Sequence, residues 1–117
     1  MVNLSKQEHK ISDVRKGELW MAHDSKSGKV RPFLILSEEL SGVDVDVSIA
    51  PATTTTKRNE FDVELMFWKE AGLSVPSIVR CSKVHYIHHG FLRRKIGIVN
   101  PNDMKRIDDS LRKFFGL

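Results

Sequence analysis

Residues 44–50 show the strictest pattern in the sequence, an alternation of apolar and polar side chains. Val45, Val47 and Ile49 fall on one side of an extended chain, and three polar residues fall on the other. Because successive side chains of a strand point to opposite faces of a sheet, this segment is predicted to be a half-buried strand. Such a strand needs neighbours that cover its apolar face, so the chain is expected to fold around a sheet.

Further strands are predicted where short apolar or alternating runs lie between turn-forming residues. These segments are 17–22, 30–36, 60–67, 77–81, 84–87 and 91–97. In the segment 60–67, Phe61, Val63 and Leu65 alternate onto one face. Polar loops are predicted at 24–28 and 53–57, and single helical turns at 37–40 and 68–71.

The end of the chain has the pattern of an amphipathic helix. Asn100 is suited to cap the helix, and Pro101 stands at the first helical position. Apolar residues then recur at helical spacing, at positions 104, 107, 111, 114 and 115. This face, including Phe114 and Phe115, is expected to pack on the sheet. Many short strands followed by one helix predict a mainly β fold, a small barrel with a helical lid.

Length and composition indicate one folded domain. The chain has 117 residues, of which 1–14 are predicted to be a polar N-terminal arm and 15–117 the domain. No apolar stretch approaches the roughly 20 residues that span a bilayer, and the start has no apolar signal-peptide core. A cytoplasmic location is therefore expected. The single cysteine, Cys81, is expected to be a small buried residue on a strand.

The charge distribution permits, but does not require, binding to nucleic acid. Lysine and arginine total 19 and aspartate and glutamate 15, which gives a net charge of +4. Basic clusters lie near turns at 29–32, 57–58, 80–83 and 93–95, and they suit either a basic groove or a solvated rim. His85, His88 and His89 are weak candidates for metal ligands because the last two are adjacent and would face opposite ways on a strand. No metal ion or cofactor is expected.

Three strand ends carry groups that suit contact with a phosphate. Arginine supplies a planar set of donors, and hydroxyl groups next to cations supply further hydrogen bonds. The residues are Arg31 before Pro32, then Thr53, Thr54 and Lys57, and finally Arg80, Ser82 and Lys83. Each set alone fits a salt bridge or a solvated loop better than a phosphate site, because ordinary protein surfaces carry many such groups. Together they suit metal-free RNA cleavage, in which the ribose supplies the nucleophile and the protein stabilises charge and moves protons.

The order and spacing of several segments resemble those of the PemK/MazF toxins. The matching segments, from about Arg15 to the end, are Lys16–Trp20, Val30–Leu36, Ile49–Thr54, Ser77–Ser82 and Met104–Phe115. The resemblance implies an SH3-like barrel of mostly antiparallel strands with a C-terminal helix, and a homodimer that binds RNA across its grooves. It also implies a type II toxin that cleaves single-stranded mRNA without a metal ion, and an antitoxin partner with an acidic flexible tail.

Within this resemblance, Arg31, Thr53 and Arg80 fall on catalytic positions of the family. Ser82 stands where some members carry an aspartate that acts as general base, and the loop 24–29 is shorter than in many members. His23, at the edge of that loop, is a candidate for the missing proton carrier, or else a structural residue. Two alternatives stay open: an RNA-binding barrel without catalysis, and a CcdB-like toxin that offers a C-terminal aromatic residue to gyrase.

Overall fold

The computed structural model describes residues 14–38, 45–54 and 56–117, which form seven strands and one α-helix. The elements are β1 (Glu18–Asp24), β2 (Lys29–Ile35), β3 (Asp46–Thr53), β4 (Asp62–Glu64), β5 (Ile78–Arg80), β6 (His85–His88), β7 (Leu92–Ile98) and α1 (Pro101–Phe115). Two 3₁₀ turns, Cys81–Lys83 and His89–Phe91, precede β6 and β7. None of the helices in these residues is long and apolar enough to cross a membrane.

All the strand pairings are antiparallel, and β3 is shared by two parts of the sheet. One part has the order β6-β3-β2-β1-β7, and the other has the order β3-β5-β4. Among the described strands, the pairings run from β4 to β7 without closing into a ring. The predicted fold class, a small barrel-like arrangement of mostly antiparallel strands with a C-terminal helix, is confirmed.

The alternation in β3 is confirmed, and the strand extends further than predicted. Val47 and Ile49 are buried, while Asp46 is exposed. The strand continues to Thr53, which the sequence places in a loop, because β5 pairs with Ala52 and Thr53. Thr53 is therefore held by a strand pairing.

Apolar side chains fill both faces of the sheet. The cross-strand pair Leu34 and Ala50 belongs to a cluster that includes Ile107 of α1. The next pair, Ile35 and Ile49, belongs to a second cluster on the other face. This separation follows from the two-residue period of the strands, which sends neighbouring side chains to opposite faces.

Helix α1 begins and ends as its sequence predicts. The side chain of Asn100 accepts a hydrogen bond of 2.8 Å from the N–H of Asn102, and Gly116 ends the helix with φ +72°. The predicted burial of Phe114 and Phe115 is wrong, because these side chains are 39% and 54% exposed. The helix packs on β4 and the turn Cys81–Lys83, and near its end the ring of Phe114 packs edge-on against Phe61, with centroids 5.0 Å apart.

The strand predicted at 60–67 is shorter in the structure. It is reduced to β4, and residues 66–72 form turns. The carboxylate of Asp103, in the first turn of α1, accepts hydrogen bonds from the N–H groups of Met66 and Phe67 at 3.1 and 2.9 Å. These bonds direct the chain toward the helix and away from the sheet. Asp62, which the alternation places on the solvated face, is buried.

Two predictions fall wholly or partly outside the described residues. Of the arm predicted at 1–14, the structure describes Val14, which is 2% exposed and packs in the second cluster. Residues 39–40 of the predicted helical turn 37–40 also lie outside the described ranges. The boundary between arm and domain stays a prediction.

Candidate functional site

A groove with a volume of about 1020 Å³ collects side chains from six strands and from the segment 72–77. Seven of the eight predicted site residues line it: His23, Arg31, Thr53, Thr54, Arg80, Ser82 and Lys83. The structure does not bring Lys57 to this groove. Lys57 lines a separate depression with Glu60 and Glu64.

The register of β2 and β3 explains why Arg31 and Thr53 share the groove. Phe33 pairs with Pro51 at one end of this antiparallel ladder. Two residues further along, the same register places position 31 opposite position 53. Side chains two residues apart on a strand share a face, so Arg31 and Thr53 project from the same face as that pair.

Arg31 is held by the short loop that precedes its strand. Its Nε donates to the hydroxyl of Ser27 at 3.1 Å and lies 3.7 Å from Oδ2 of Asp24. The Asp24 carboxylate in turn accepts from the hydroxyl of Ser27 at 3.0 Å. Within the part of the chain that the structure describes, the two terminal nitrogens of Arg31 make no hydrogen bond, and the side chain is 50% exposed. These nitrogens are available to an anion in the groove.

Arg80 is buried in the wall of the groove and pairs with Asp62. Its Nη1 lies 2.6 Å from Oδ2 of Asp62, and the two side chains are 6% and 0% exposed. The same carboxylate oxygen accepts the N–H of Arg58 at 2.8 Å. Asp62 was not among the predicted site residues. The signal that points to it is the need of a buried guanidinium for a counter-charge.

The turn Cys81–Lys83 places Ser82 and Lys83 at the groove and buries Cys81. The hydroxyl of Ser82 accepts a hydrogen bond of 3.2 Å from the side chain of Asn59. Burial raises the pKa of the Cys81 thiol to about 11, so the thiol stays protonated near neutral pH. The predicted burial of Cys81 is confirmed, although the residue begins a 3₁₀ turn directly after β5.

Two histidines line the groove. His23 is half-buried on β1, and its ring centroid lies 6.4 Å from that of Phe91. His85 is exposed on β6, and its Nδ1 lies 3.0 Å from the carbonyl oxygen of Lys83. A carbonyl oxygen only accepts, so this hydrogen bond assigns the proton of a neutral ring to Nδ1 and leaves Nε2 as the acceptor. The sequence analysis considered His85 only as a metal ligand.

An exposed aromatic residue adds a surface for stacking. Tyr86, next to His85 on β6, is 71% exposed where it lines the groove. The ring of Phe33 packs edge-on against His85, with centroids 5.7 Å apart. Aromatic faces beside cations are typical of surfaces that bind single-stranded nucleic acid.

The remaining histidine pair differs from its prediction. His88 and His89 were expected to face opposite ways, but their rings stack with centroids 4.6 Å apart. The reason is that His89 leaves the strand and begins the turn His89–Phe91. In residues 14–38, 45–54 and 56–117, no group of three or more histidine, cysteine or acidic side chains is arranged to hold a metal ion.

Comparisons with known proteins agree with this fold. A probable endoribonuclease MazF of Mycolicibacterium smegmatis is 27% identical over 107 residues, which cover 89% of this chain and 98% of that protein. The solved Mycobacterium tuberculosis toxin MazF-mt6 superposes with a TM-score of 0.72 at 28% identity, covering 86% of this chain and 97% of that one. An endoribonuclease in complex with its cognate antitoxin, from mycobacterial species, shares the fold with a TM-score of 0.71 at 22% identity, covering 89% and 96%.

The family of PemK-like, MazF-like toxins of type II toxin–antitoxin systems matches residues 15–115. This range contains every described strand and the whole of α1. The resemblance in motif order is therefore confirmed, and the chain belongs to the PemK-like, MazF-like toxin family.

Proposed function

We propose that this chain is a toxin that cleaves single-stranded RNA, and that the groove is its active site. The observation that carries the proposal is the meeting of Arg31, Thr53 and Arg80 in one groove, although they come from three separate strands. Family membership and the relatives named as endoribonucleases support the same activity. Cleavage of mRNA in the cytoplasm would stop translation.

The proposed reaction uses the nucleophile that RNA carries. The ribose 2′-OH attacks the adjacent phosphorus, the 5′-oxygen leaves, and the products carry a 2′,3′-cyclic phosphate and a 5′-hydroxyl. The pentavalent intermediate gains negative charge on its non-bridging oxygens, and fixed donors in a groove stabilise this charge. Arg31 and Arg80 supply guanidinium donors, and the Thr53 hydroxyl hydrogen-bonds a non-bridging oxygen or the attacking hydroxyl. This scheme needs no metal ion.

Two protons must move during this reaction, and the groove offers two histidines to move them. Ser82 is a poor base, and its hydroxyl already accepts a hydrogen bond from Asn59. Nε2 of His85 is positioned as an acceptor by the hydrogen bond at Nδ1. His23, at the edge of the loop 24–29, also lines the groove. Imidazole groups titrate near neutral pH and suit both steps. Separate replacement of His23 and His85 by glutamine assigns the roles.

The proposed partners follow from the family. One is an antitoxin whose acidic, flexible segment occupies the groove, and the other is a second copy of this chain. A solved relative is in complex with its cognate antitoxin. Complementary charge between a basic groove and an acidic peptide favours fast and specific association.

The test compares purified wild-type protein with Arg31→Ala, Thr53→Ala and a control, Lys57→Ala, on a long single-stranded RNA. Removal of one charge-stabilising donor is expected to lower kcat by roughly 10²–10³-fold. Lys57→Ala should retain the wild-type rate because Lys57 lies outside the groove. Mapping of the RNA ends should give cyclic phosphate and 5′-hydroxyl, also in the presence of EDTA. Full activity of both groove variants would refute the site, and loss of activity with EDTA would refute the metal-free scheme.

One observation favours a second candidate, a toxin that acts on a protein such as gyrase. Phe114 and Phe115 are exposed at the end of α1, and Leu117 beyond them is 91% exposed. Exposed apolar side chains that lie close together suit contact with a protein. A gyrase supercoiling assay run beside the RNA assay separates the two candidates. RNA binding without product would instead indicate a barrel that has lost its catalysis.

A further inference from the structure

The pair of Arg80 and Asp62 is buried in a way that leaves half of each group unused. Measured over the whole residue, backbone included, Arg80 is 5% exposed and Asp62 is 2% exposed. Taking a guanidinium out of water is costly unless an opposite charge and hydrogen bonds compensate it. Nη1 receives this compensation from Oδ2 of Asp62 at 2.6 Å.

The contact joins a single nitrogen to a single oxygen. Arginine and carboxylate groups frequently pair through two parallel hydrogen bonds, which would engage a second guanidinium nitrogen and both oxygens. Here Nη2 of Arg80 and Oδ1 of Asp62 are both buried, and neither has a hydrogen-bond partner among the residues the structure describes. A buried donor without a partner calls for a specific explanation, and a functional role of the pair is one.

The backbone fixes the position of the carboxylate. Asp62 and Arg80 are directly opposite each other in the β4–β5 ladder. Oδ2 of Asp62 is also held by the N–H of Arg58 at 2.8 Å. Because Oδ2 is fixed from two sides, the guanidinium that it binds has little freedom to turn. Arg80 lines the groove, and Ile78, two residues earlier on β5, pairs with Thr53.

We propose that Asp62 is a positioning residue for the RNA-cleaving site. It binds Nη1 of Arg80 and, together with the burial of Arg80, holds the guanidinium in the wall of the groove, where Arg80 meets a non-bridging oxygen of the scissile phosphate. Arg80 contacts the substrate, whereas Asp62 acts through Arg80. This inference rests on the proposed function and adds to it the reason why Arg80 is presented from a buried position.

A double-mutant cycle tests the proposal with Asp62→Asn, Arg80→Met and the combined variant. The kcat of each protein is measured on single-stranded RNA. The assay temperature is one at which circular dichroism shows every variant to be folded. Arg80→Met is expected to lower kcat by roughly 10²–10³-fold, as for loss of one transition-state donor. Asp62→Asn is expected to lower kcat by roughly 10–100-fold, by analogy with loss of groups that orient metal ligands. The combined variant should match Arg80→Met, because residues that act as a unit are non-additive.

Chemical rescue gives a second measurement that does not depend on the kcat of the Asp62→Asn single variant. Millimolar methylguanidinium is expected to restore cleavage by Arg80→Ala at least about tenfold, since Asp62 still binds a guanidinium in the vacated space. It should restore nothing in Arg80→Ala combined with Asp62→Asn. Equal rescue in both proteins would overturn the proposal.

The outcomes separate this inference from the proposed function. Two results would overturn the role of Asp62 while leaving RNA cleavage intact. One is a loss of kcat in the combined variant that equals the product of the two single losses. The other is a wild-type kcat in Asp62→Asn. Absence of RNA cleavage by the wild-type protein would overturn the proposed function, and this inference would fall with it. The proposal would be supported if Arg80→Met and the combined variant have the same kcat and if rescue by methylguanidinium depends on Asp62.

Discussion

Replacement of Asp103 by alanine tests how the chain between β4 and β5 is held. The Asp103 carboxylate is 1% exposed and accepts the N–H groups of Met66 and Phe67. It also forms an ion pair with Arg106. The turns at 66–72 end at Gly72. Gly72 and several of the residues that follow it line the groove. Loss of the carboxylate should therefore loosen both the fold and the groove.

The expected cost follows from the number and kind of contacts that are lost. A hydrogen bond to a charged group contributes about 1.5–3 kcal/mol, and two backbone donors lose such a bond. Met66 and Phe67 are exposed at 69% and 37%, so water can reach this turn and the lower end of the range applies. Asp103 also lies in the first turn of α1, where a negative charge contributes about 0.3–1 kcal/mol. We expect Asp103→Ala to lower the free energy of unfolding by about 3 kcal/mol.

Urea unfolding followed by circular dichroism measures this loss, and Asp109→Ala is the matched control. Asp109 lies on the same helix with its side chain 63% exposed, and it pairs with Arg112 at 3.3 Å. An exposed ion pair of this kind contributes about 0.3–0.5 kcal/mol. If Asp103→Ala costs less than about 1 kcal/mol, or no more than Asp109→Ala, then the buried carboxylate does not hold the turn.

Three further predictions concern a glycine, an aromatic residue and an acid. Gly72 has φ +97°, and an added Cβ would lie 2.6 Å from the carbonyl oxygen of Ile96. Gly72→Ala should therefore cost about 2 kcal/mol or more in urea unfolding, and an unchanged midpoint would contradict this. Tyr86→Ala should raise KM for RNA roughly 5- to 150-fold through loss of about 1–3 kcal/mol of base stacking. Tyr86→Phe should have the wild-type KM, and an equal rise of KM in both variants would rule out stacking. Burial raises the pKa of Glu18, but hydrogen bonds, first from Lys95, lower it by more, so it lies below its ordinary value of 4.5. The ionised carboxylate then stabilises the fold above that value, and this stabilisation is lost as pH falls through the lower folded-state pKa. Stability measured in acid should therefore fall less steeply for Glu18→Gln than for the wild type, and parallel curves would exclude this linkage.

Features that depend on neighbouring residues in the chain were predictable from the sequence. The cap at Asn100, the first helical position at Pro101 and the alternation through Val47 and Ile49 are all present in the structure. These patterns report the local period of the backbone and the donors at a helix end, and neither needs knowledge of the fold.

Features that depend on distant partners were not predictable. Asp62 alternates as a solvated residue, yet it is buried because Arg80, eighteen positions later, faces it across β4 and β5. The strand expected at 60–67 stops early because Asp103 binds the N–H groups of Met66 and Phe67. Each case is decided by a charged group that the local pattern does not contain.

The candidate site also contains some features that the sequence predicted and others that it did not. The resemblance of the segments implied that Arg31 and Thr53 share one site, and the structure places both in one groove through the pairing of β2 with β3. Lys57 is close to Thr53 in the chain but lines another depression. His85 contributes to the groove because the turn Cys81–Lys83 leads the chain back to β3.

The shared strand β3 has a consequence for how the groove moves. Its residues pair with β2, β5 and β6, so its amide groups should exchange with solvent deuterium more slowly than those of segment 66–75. That segment contains no strand and is held to the helix through Asp103. Thr53 lies on the strand with pairings on both sides, so its hydroxyl should keep a fixed position when a phosphate binds in the groove.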